Sequence, residues 1–385
     1  MEQSKTFIKA YKRRNILIER GSKEFLFSKN KEYIDFLSGI SINNLGYSNK
    51  LLIKAGMNQM KKIIHPSNYY LTKPQDNLAK LLIKASGLDK VFFANSGTEA
   101  NEAALLFIAK YGEQIHKNEL LIVKGTFLGR TYGSRIAQIG GRIGTLDIKV
   151  IERDSIEDFI KNVNENTLGI WLELVQGHGG ILKLNKKYID KIKMIARKKG
   201  LLIIIDEVQT GLGRTGNIFA FESFKINPDI LTLGKSLGGG FPLSAVIVKE
   251  KISTIINPGD YGCTMGGNSV ACAMGIKLLE YLLDKRNIDK IKIKGKYLNG
   301  KLQELKRKYR FIDEIRGMGM MQGIKLKSVD KAKKIINKCI ERGILLDIVN
   351  QDVIRLLPPF IISKKSINFG MKEIFEAMYE VENGL

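Results

Sequence analysis

A chain of 385 residues, 44% hydrophobic and 8% aromatic, is long enough for a large core and more than one domain, and its make-up is that of a globular protein. It holds no apolar run able to span a bilayer, and its three cysteines (Cys263, Cys272 and Cys339) form neither an even disulfide set nor a metal-like spacing. The net charge of +24, from 63 Lys+Arg against 39 Asp+Glu, could serve nucleic acid, a membrane surface or an acidic partner. The basic residues, however, alternate with isoleucines at helical spacing, as solvated helix faces do.

In chain order, residues 16–36 read as short antiparallel strands around a turn at 29–31. Residues 91–94 read as a strand, Ser96-Gly97-Thr98 as a turn, and 99–111 as a helix with a capping start. Further strands are expected at 120–123, 148–151 and 168–174, then a helix at 186–199 and a strand at 201–205. A strand at 243–248 and a helix at 270–283 lead into a mixed tail, with strands at 312–323 and 352–357 and a helix at 330–341. The alternation of strand and helix predicts an α/β fold around a mostly parallel sheet. A large domain is expected over 49–270, with a smaller α+β one built from both ends, 1–48 and 271–385. Residues 1–5 lack the apolar stretch of a secretion signal, so a reduced cytoplasmic protein is expected.

Two segments carry the chemistry. The aliphatic run 201–205 stops on Asp206 and continues as Glu207-Val208-Gln209-Thr210-Gly211; Leu231-Thr232-Leu233-Gly234 stops on Lys235 before Gly238-Gly239-Gly240. An acid and an amine so placed sit at the carboxyl ends of buried parallel strands, where open α/β sheets bind ligands. That is what a pyridoxal phosphate enzyme needs: a lysine to hold the cofactor covalently and a carboxylate to keep its pyridine nitrogen protonated. The segment Asn95-Ser96-Gly97-Thr98-Glu99 offers N–H groups at a helix start as a phosphate cradle. Phe127 and Arg130 put an aromatic face and a guanidinium close together. Tyr261-Gly262-Cys263-Thr264-Met265-Gly266-Gly267 is a second Gly-rich loop, and Arg355 lies in a late strand that stops at Pro358-Pro359.

Taken in order, these motifs resemble the class III (subgroup II) pyridoxal-phosphate aminotransferases, and within them the acetylornithine group, over nearly the whole chain from Tyr11 to Pro359. The resemblance implies a fold-type I transferase with a mostly parallel seven-stranded sheet, and a homodimer with shared active sites. It implies that Lys235 binds the cofactor and shuttles the proton, and that Asp206 pairs with the ring nitrogen, with Val208 and Gln209 beside it. Ser96, Gly97 and Thr98 would hold the phosphate, joined by Thr264 from a second subunit, and Phe127 would stack on the ring. Arg130 would bind a substrate carboxylate and Arg355 the α-carboxylate of glutamate or 2-oxoglutarate, while Tyr11 and Cys263 resemble substrate-contacting positions.

The chain departs from that pattern in places. In Glu173-Leu174-Val175-Gln176-Gly177-His178-Gly179-Gly180, His178 stands where the family carries a glutamate that masks the arginine aligned with Arg355. A histidine, charged or neutral near pH 7, cannot form that salt bridge, so Arg355 is expected to stay unmasked. Leu128 replaces a frequent histidine, Met265 an aromatic, and Cys263 a Ser or Thr. Tyr47-Ser48-Asn49 replaces a Gly-His-x-His-Pro pattern, and the stretch from Arg130 to Glu173 is short for the family. The activity implied is transfer of an ω-amino group from an ornithine-type donor to 2-oxoglutarate, N-acetylornithine first. A lysine-pathway donor on an acidic carrier protein, ornithine and γ-aminobutyrate are alternatives, and a binding protein without turnover is the reading from another class. Neither nucleic acid nor a membrane is expected as the partner.

Overall fold

The computed structural model describes residues 7–384. Its centre is an eight-stranded sheet in the spatial order Lys90–Ala94, Ser244–Val248, Ile230–Leu233, Leu202–Asp206, Thr167–Leu172, Glu119–Val123, Leu146–Ile151 and Gly141–Ile143. The five from Ser244–Val248 to Glu119–Val123 are buried along their whole length, which is why they read as continuous apolar runs rather than alternating ones. Successive side chains still leave on opposite faces: Leu121 and Val123 join one core cluster, Leu120 and Ile122 the other. Ser244–Val248 runs antiparallel to both of its neighbours. The eighth strand, Gly141–Ile143, pairs antiparallel with Leu146–Ile151 at the far edge and adds one strand to the seven expected.

Helices cover the sheet. In Lys186–Lys199, as expected from the sequence, Tyr188, Ile189, Ile192 and Ala196 are buried while Lys187, Lys191, Arg197 and Lys198 are exposed. The +24 charge is thus carried, on this helix, by a solvated face. Among the described residues no helix is long and apolar enough to cross a membrane.

Both ends of the chain meet in one small sheet. Arg20–Ser22, Phe25–Ser28 and Lys31–Asp35 form antiparallel pairs, and Ile344–Leu345 adds to Lys31–Asp35 in parallel. A second small sheet contains Ile312–Met318, Met321–Leu326, Val353–Leu356 and Asp347–Val349. The single strand expected at 312–323 is instead a hairpin: Gly319 turns the chain at φ +60°, and an added Cβ there would meet the Thr215 backbone at 2.4 Å. Apolar Met318 and Met320 on either side conceal that turn in the sequence.

One side chain ties these pieces together. Arg214, fully buried, donates to Ser41 Oγ (2.8 Å), Met320 O (3.1 Å), Pro358 O (2.7 Å), Ser38 Oγ (3.2 Å) and Asn44 Oδ1, and lies 4.7 Å from the Phe360 ring centre.

Candidate active site

Asp206 ends the strand Leu202–Asp206 and sits opposite Thr232 on the neighbouring parallel strand; Lys235 follows three residues later. The strand Lys90–Ala94, running in the same direction, delivers Ser96 to the same carboxyl edge. Glu119–Val123 and Thr167–Leu172 deliver Phe127 and Glu173 there as well. Every parallel strand at the centre of the sheet therefore ends on a segment singled out in the sequence.

Asp206 is buried and its carboxylate is held at two points. Oδ2 accepts from Asn101 Nδ2 at 2.8 Å, and Oδ1 from the Val208 N–H at 2.9 Å. Burial pushes its carboxyl above the usual carboxylate range, while those donors and Lys235 pull the other way. Lys235 is half-buried, with a left-handed backbone at φ +47°. Burial lowers its amine to about 8, assisted by the charges of Arg355 and Arg214 and opposed by Asp206 and Glu173.

Ser96 caps the helix Gly97–Gln114: its Oγ accepts from Glu99 N–H at 3.2 Å, while Glu99 Oε2 accepts from the N–H of Asn95 and Ser96. The N–H groups of Gly97 and Thr98 are left at the positive end of that helix. A Cβ on Gly97 would lie 2.4 Å from Val208 Cγ1, so the cradle, Val208 and the Asp206 turn are packed as one unit.

Above this floor, Phe127 stacks on His178, ring centres 4.8 Å apart and 8° from parallel, with the Arg130 guanidinium 5.7 Å from the Phe127 centre. Glu173 fixes both: its carboxylate accepts from Phe127 N–H at 3.2 Å and Gly177 N–H at 2.8 Å. Burial and the charge of Asp206 push Glu173 up to about 8. His178 is lowered below the ordinary imidazole value by partial burial and by the charges of Arg130 and Arg355, while Asp347 pulls the other way. Arg130 itself is exposed at the edge of a cavity of about 500 Å³ that Phe127, Tyr132, Arg135 and His178 also line.

Arg355 corrects the expectation from the sequence. It is not unmasked: Nε donates to Asp347 Oδ1 at 3.1 Å and Nη2 to Asp347 Oδ2 at 2.5 Å. The carboxylate missing from position 178 is replaced by one on the adjacent strand, directly across the register.

Three expected residues stand apart in the single chain. Tyr11 is 66% exposed on the N-terminal segment. Thr264 is exposed, and Cys263 Sγ accepts from Asn95 Nδ2 at 3.0 Å, beside the cradle. Asn101, Glu173 and Asp347 had been given no role in the site. Asn101 lies one helical turn beyond Gly97, and Glu173 directly follows the buried strand Thr167–Leu172, so both left a signal. Asp347 left none, because its strand has three residues.

The residues present fit pyridoxal phosphate. Asp206 is oriented for a ring nitrogen, Gly97 opens the helix end to a phosphate, and Gln209 Oε1 is buried without a protein partner beside Gly177. Residues 8–137 and 145–378 match the model of the aminotransferase class-III family, and the gap falls at the edge strand Gly141–Ile143. The chain is 38% identical to the acetylornithine aminotransferase of Clostridium acetobutylicum, over 97% of this chain and 99% of that one. It is also 38% identical to the acetylornithine aminotransferase of Methanocaldococcus jannaschii, over 95% and 94%. The ornithine aminotransferase of Toxoplasma gondii, a structure with pyridoxal phosphate at partial occupancy in the active site, superposes with a TM-score of 0.91. It shares 27% identity, with 98% of this chain and 93% of that one covered.

Proposed function

From the premise that this chain belongs to the class III aminotransferases and is a pyridoxal-phosphate-dependent transaminase, we propose that it moves the ω-amino group of N-acetylornithine to 2-oxoglutarate, a step of arginine biosynthesis. The observation that carries this reading is the placement of Asp206 and Lys235 at the carboxyl ends of adjacent parallel strands, on a chain 38% identical to two acetylornithine aminotransferases.

When bound, pyridoxal phosphate supplies a carbonyl to carry the amino group and a ring to accept electrons. The Gly97 and Thr98 N–H groups, with Ser96, would hold its phosphate, and Thr264 of a second copy would join them. Asp206, its carboxylate fixed by Asn101 and Val208, would hold a proton on the ring nitrogen. Lys235 Nζ, its affinity for protons lowered by burial, takes the proton from the amino-bearing carbon of the substrate. Phe127 and His178, stacked together, wall one side of the site. Arg130 receives the donor carboxylate and Arg355 the acceptor α-carboxylate, each through a planar fork.

A second copy of the chain is the proposed partner. Leu51, Met57, Ile64, Tyr69, Tyr70 and Leu71 are exposed within one short stretch, an apolar surface of the kind a subunit interface covers. Sedimentation as a dimer is expected, and a monomer at working concentration contradicts it. The large domain is taken as 49–270, between the two end segments.

The test of substrate is a donor panel scored by glutamate formed from 2-oxoglutarate. N-acetylornithine is expected to react fastest, ahead of ornithine, γ-aminobutyrate and a carrier-borne lysine precursor. A different leader replaces the substrate, and no glutamate from any donor overturns the reading.

A further inference from the structure

The cavity of about 500 Å³ beside Phe127 holds a second guanidinium besides that of Arg130. One of its walls is the helix Tyr132–Ile139, on which Tyr132, Arg135, Ile136 and Ile139 follow at the spacing of a single helical face. Ser134 and Ala137, between them, are buried. The helix is fixed at both ends. Glu102 accepts from the Ser134 N–H at 2.7 Å and from its hydroxyl at 3.1 Å, and also from Thr131 Oγ1. Gly133 permits this, since a Cβ there would lie 2.5 Å from Glu102 Oε2. Gln138 Nε2 donates to Gly129 O and Ser134 O, both at 2.8 Å, which ties the helix back to the loop carrying Arg130.

The charge in this cavity has one sign. Arg130 and Arg135 line it and no carboxylate does, while His178 carries no negative charge in either protonation state. Among the described residues neither guanidinium is in an ion pair, and Glu102 is already occupied by Thr131 and Ser134. A donor carboxylate on Arg130 therefore fills one planar fork and leaves the other open.

The chemistry of the donor says what reaches the second fork. In an α-N-acyl donor the acyl arm leaves from the same carbon as the carboxylate on Arg130, so the arm enters this cavity. The volume is in the range that holds a whole drug-sized ligand, more than an acetyl group fills. Tyr132, Ile136 and Ile139 suit methylene groups along the arm, and Arg135 suits an anion at its end.

We infer that Arg135 is a specificity-determining residue that selects donors whose α-N-acyl arm ends in a second carboxylate, the half-amides of a short dicarboxylic acid. The inference rests on the reading of Arg130 as the anchor of the donor carboxylate. The acyl arm takes no part in bond making, so Arg135 acts on binding and not on the proton transfer at Lys235.

The test compares arms that differ in charge alone. N-succinylornithine ends in a carboxylate, and N-succinamoylornithine ends in an amide of the same length. The unaltered protein is expected to favour the charged donor about fivefold in kcat/KM, the scale of one solvent-accessible ion pair. Arg135→Gln should abolish that preference through KM, and Arg135→Lys, which keeps a cation, should retain part of it. Arg135 is exposed, so neither substitution disturbs packing. The same two arms on norvaline, which lacks the ω-amine and cannot react, should give the same ratio in calorimetric binding to the cofactor-loaded protein. Equal use of the two arms by the unaltered protein, or a preference that survives Arg135→Gln, overturns the inference. If no donor yields glutamate, the substrate reading falls instead, and the norvaline ratio in the unaltered and Arg135→Gln proteins still decides the role of Arg135.

Discussion

Asn101, one turn into the helix that starts at Gly97, donates its side-chain amide to Asp206 Oδ2 at 2.8 Å and to the Leu128 carbonyl at 2.9 Å. Both side chains are buried, so the contact sets the plane of the Asp206 carboxylate, the group proposed to pair with the ring nitrogen. Asn101→Ala removes a hydrogen bond to a charged group, worth about 1.5–3 kcal/mol, and should weaken pyridoxal phosphate by at least about tenfold. Equilibrium titration with the cofactor measures this, and unchanged affinity would show that Asp206 needs no support from Asn101.

Lys235 pays for its position with a left-handed backbone and a half-buried amine. Lys235→Ala should lose roughly 10³-fold or more in turnover, since the proton carrier is gone. The substitution should not unfold the protein. Lys235→Gly, which also relieves the φ of +47°, should be about 1 kcal/mol more stable than Lys235→Ala. Thermal melting of the two variants without cofactor checks the order, and a less stable glycine variant contradicts the strain.

The lowered amine has a pH signature. Lys235 is held near 8 when folded against an ordinary 10.5, so between those values the unfolded chain binds more protons than the folded one. Its contribution to stability therefore rises with pH across that window, and below about 8 the cost of burying the charge is fully present. The stability advantage of Lys235→Ala over the unaltered cofactor-free protein should shrink as pH climbs from 8 to 10.5. The rate of cofactor capture should rise through about 8, as the neutral amine becomes available. A capture rate independent of pH would place the amine elsewhere on the scale.

Arg214→Met should be among the most damaging changes outside the site. It strands acceptors on Ser38, Ser41, Asn44, Met320 and Pro358, and each buried group left unpaired costs about 1–3 kcal/mol. A loss of roughly 3 kcal/mol or more is expected in denaturant unfolding of the cofactor-free chain. A midpoint equal to that of the unaltered protein would show that these acceptors find other partners.

Much of the centre could be read ahead of the structure because burial on both faces writes itself into composition. The run at 201–205 ending on Asp206 needs only a parallel sheet to become a site, and Lys186–Lys199 has a clean apolar stripe. Where reading failed, the information was not local. The hairpin at Gly319 hides between two methionines, and the edge strand Gly141–Ile143 is three residues long. Asp347 meets Arg355 only through register across two short strands, so the loss of a glutamate at position 178 looked like the loss of a salt bridge. The Phe127–His178 stack likewise depends on Glu173 gathering two loops.

The central claim, that Lys235 holds pyridoxal phosphate in a site that trades amino groups between N-acetylornithine and 2-oxoglutarate, is tested most directly by the visible spectrum of the loaded protein. N-acetylornithine without acceptor should abolish the band of the lysine-bound cofactor, and 2-oxoglutarate should restore it; Lys235→Ala should show no such band. A protein that stays colourless with pyridoxal phosphate, or a band that no amino donor alters, would contradict the account.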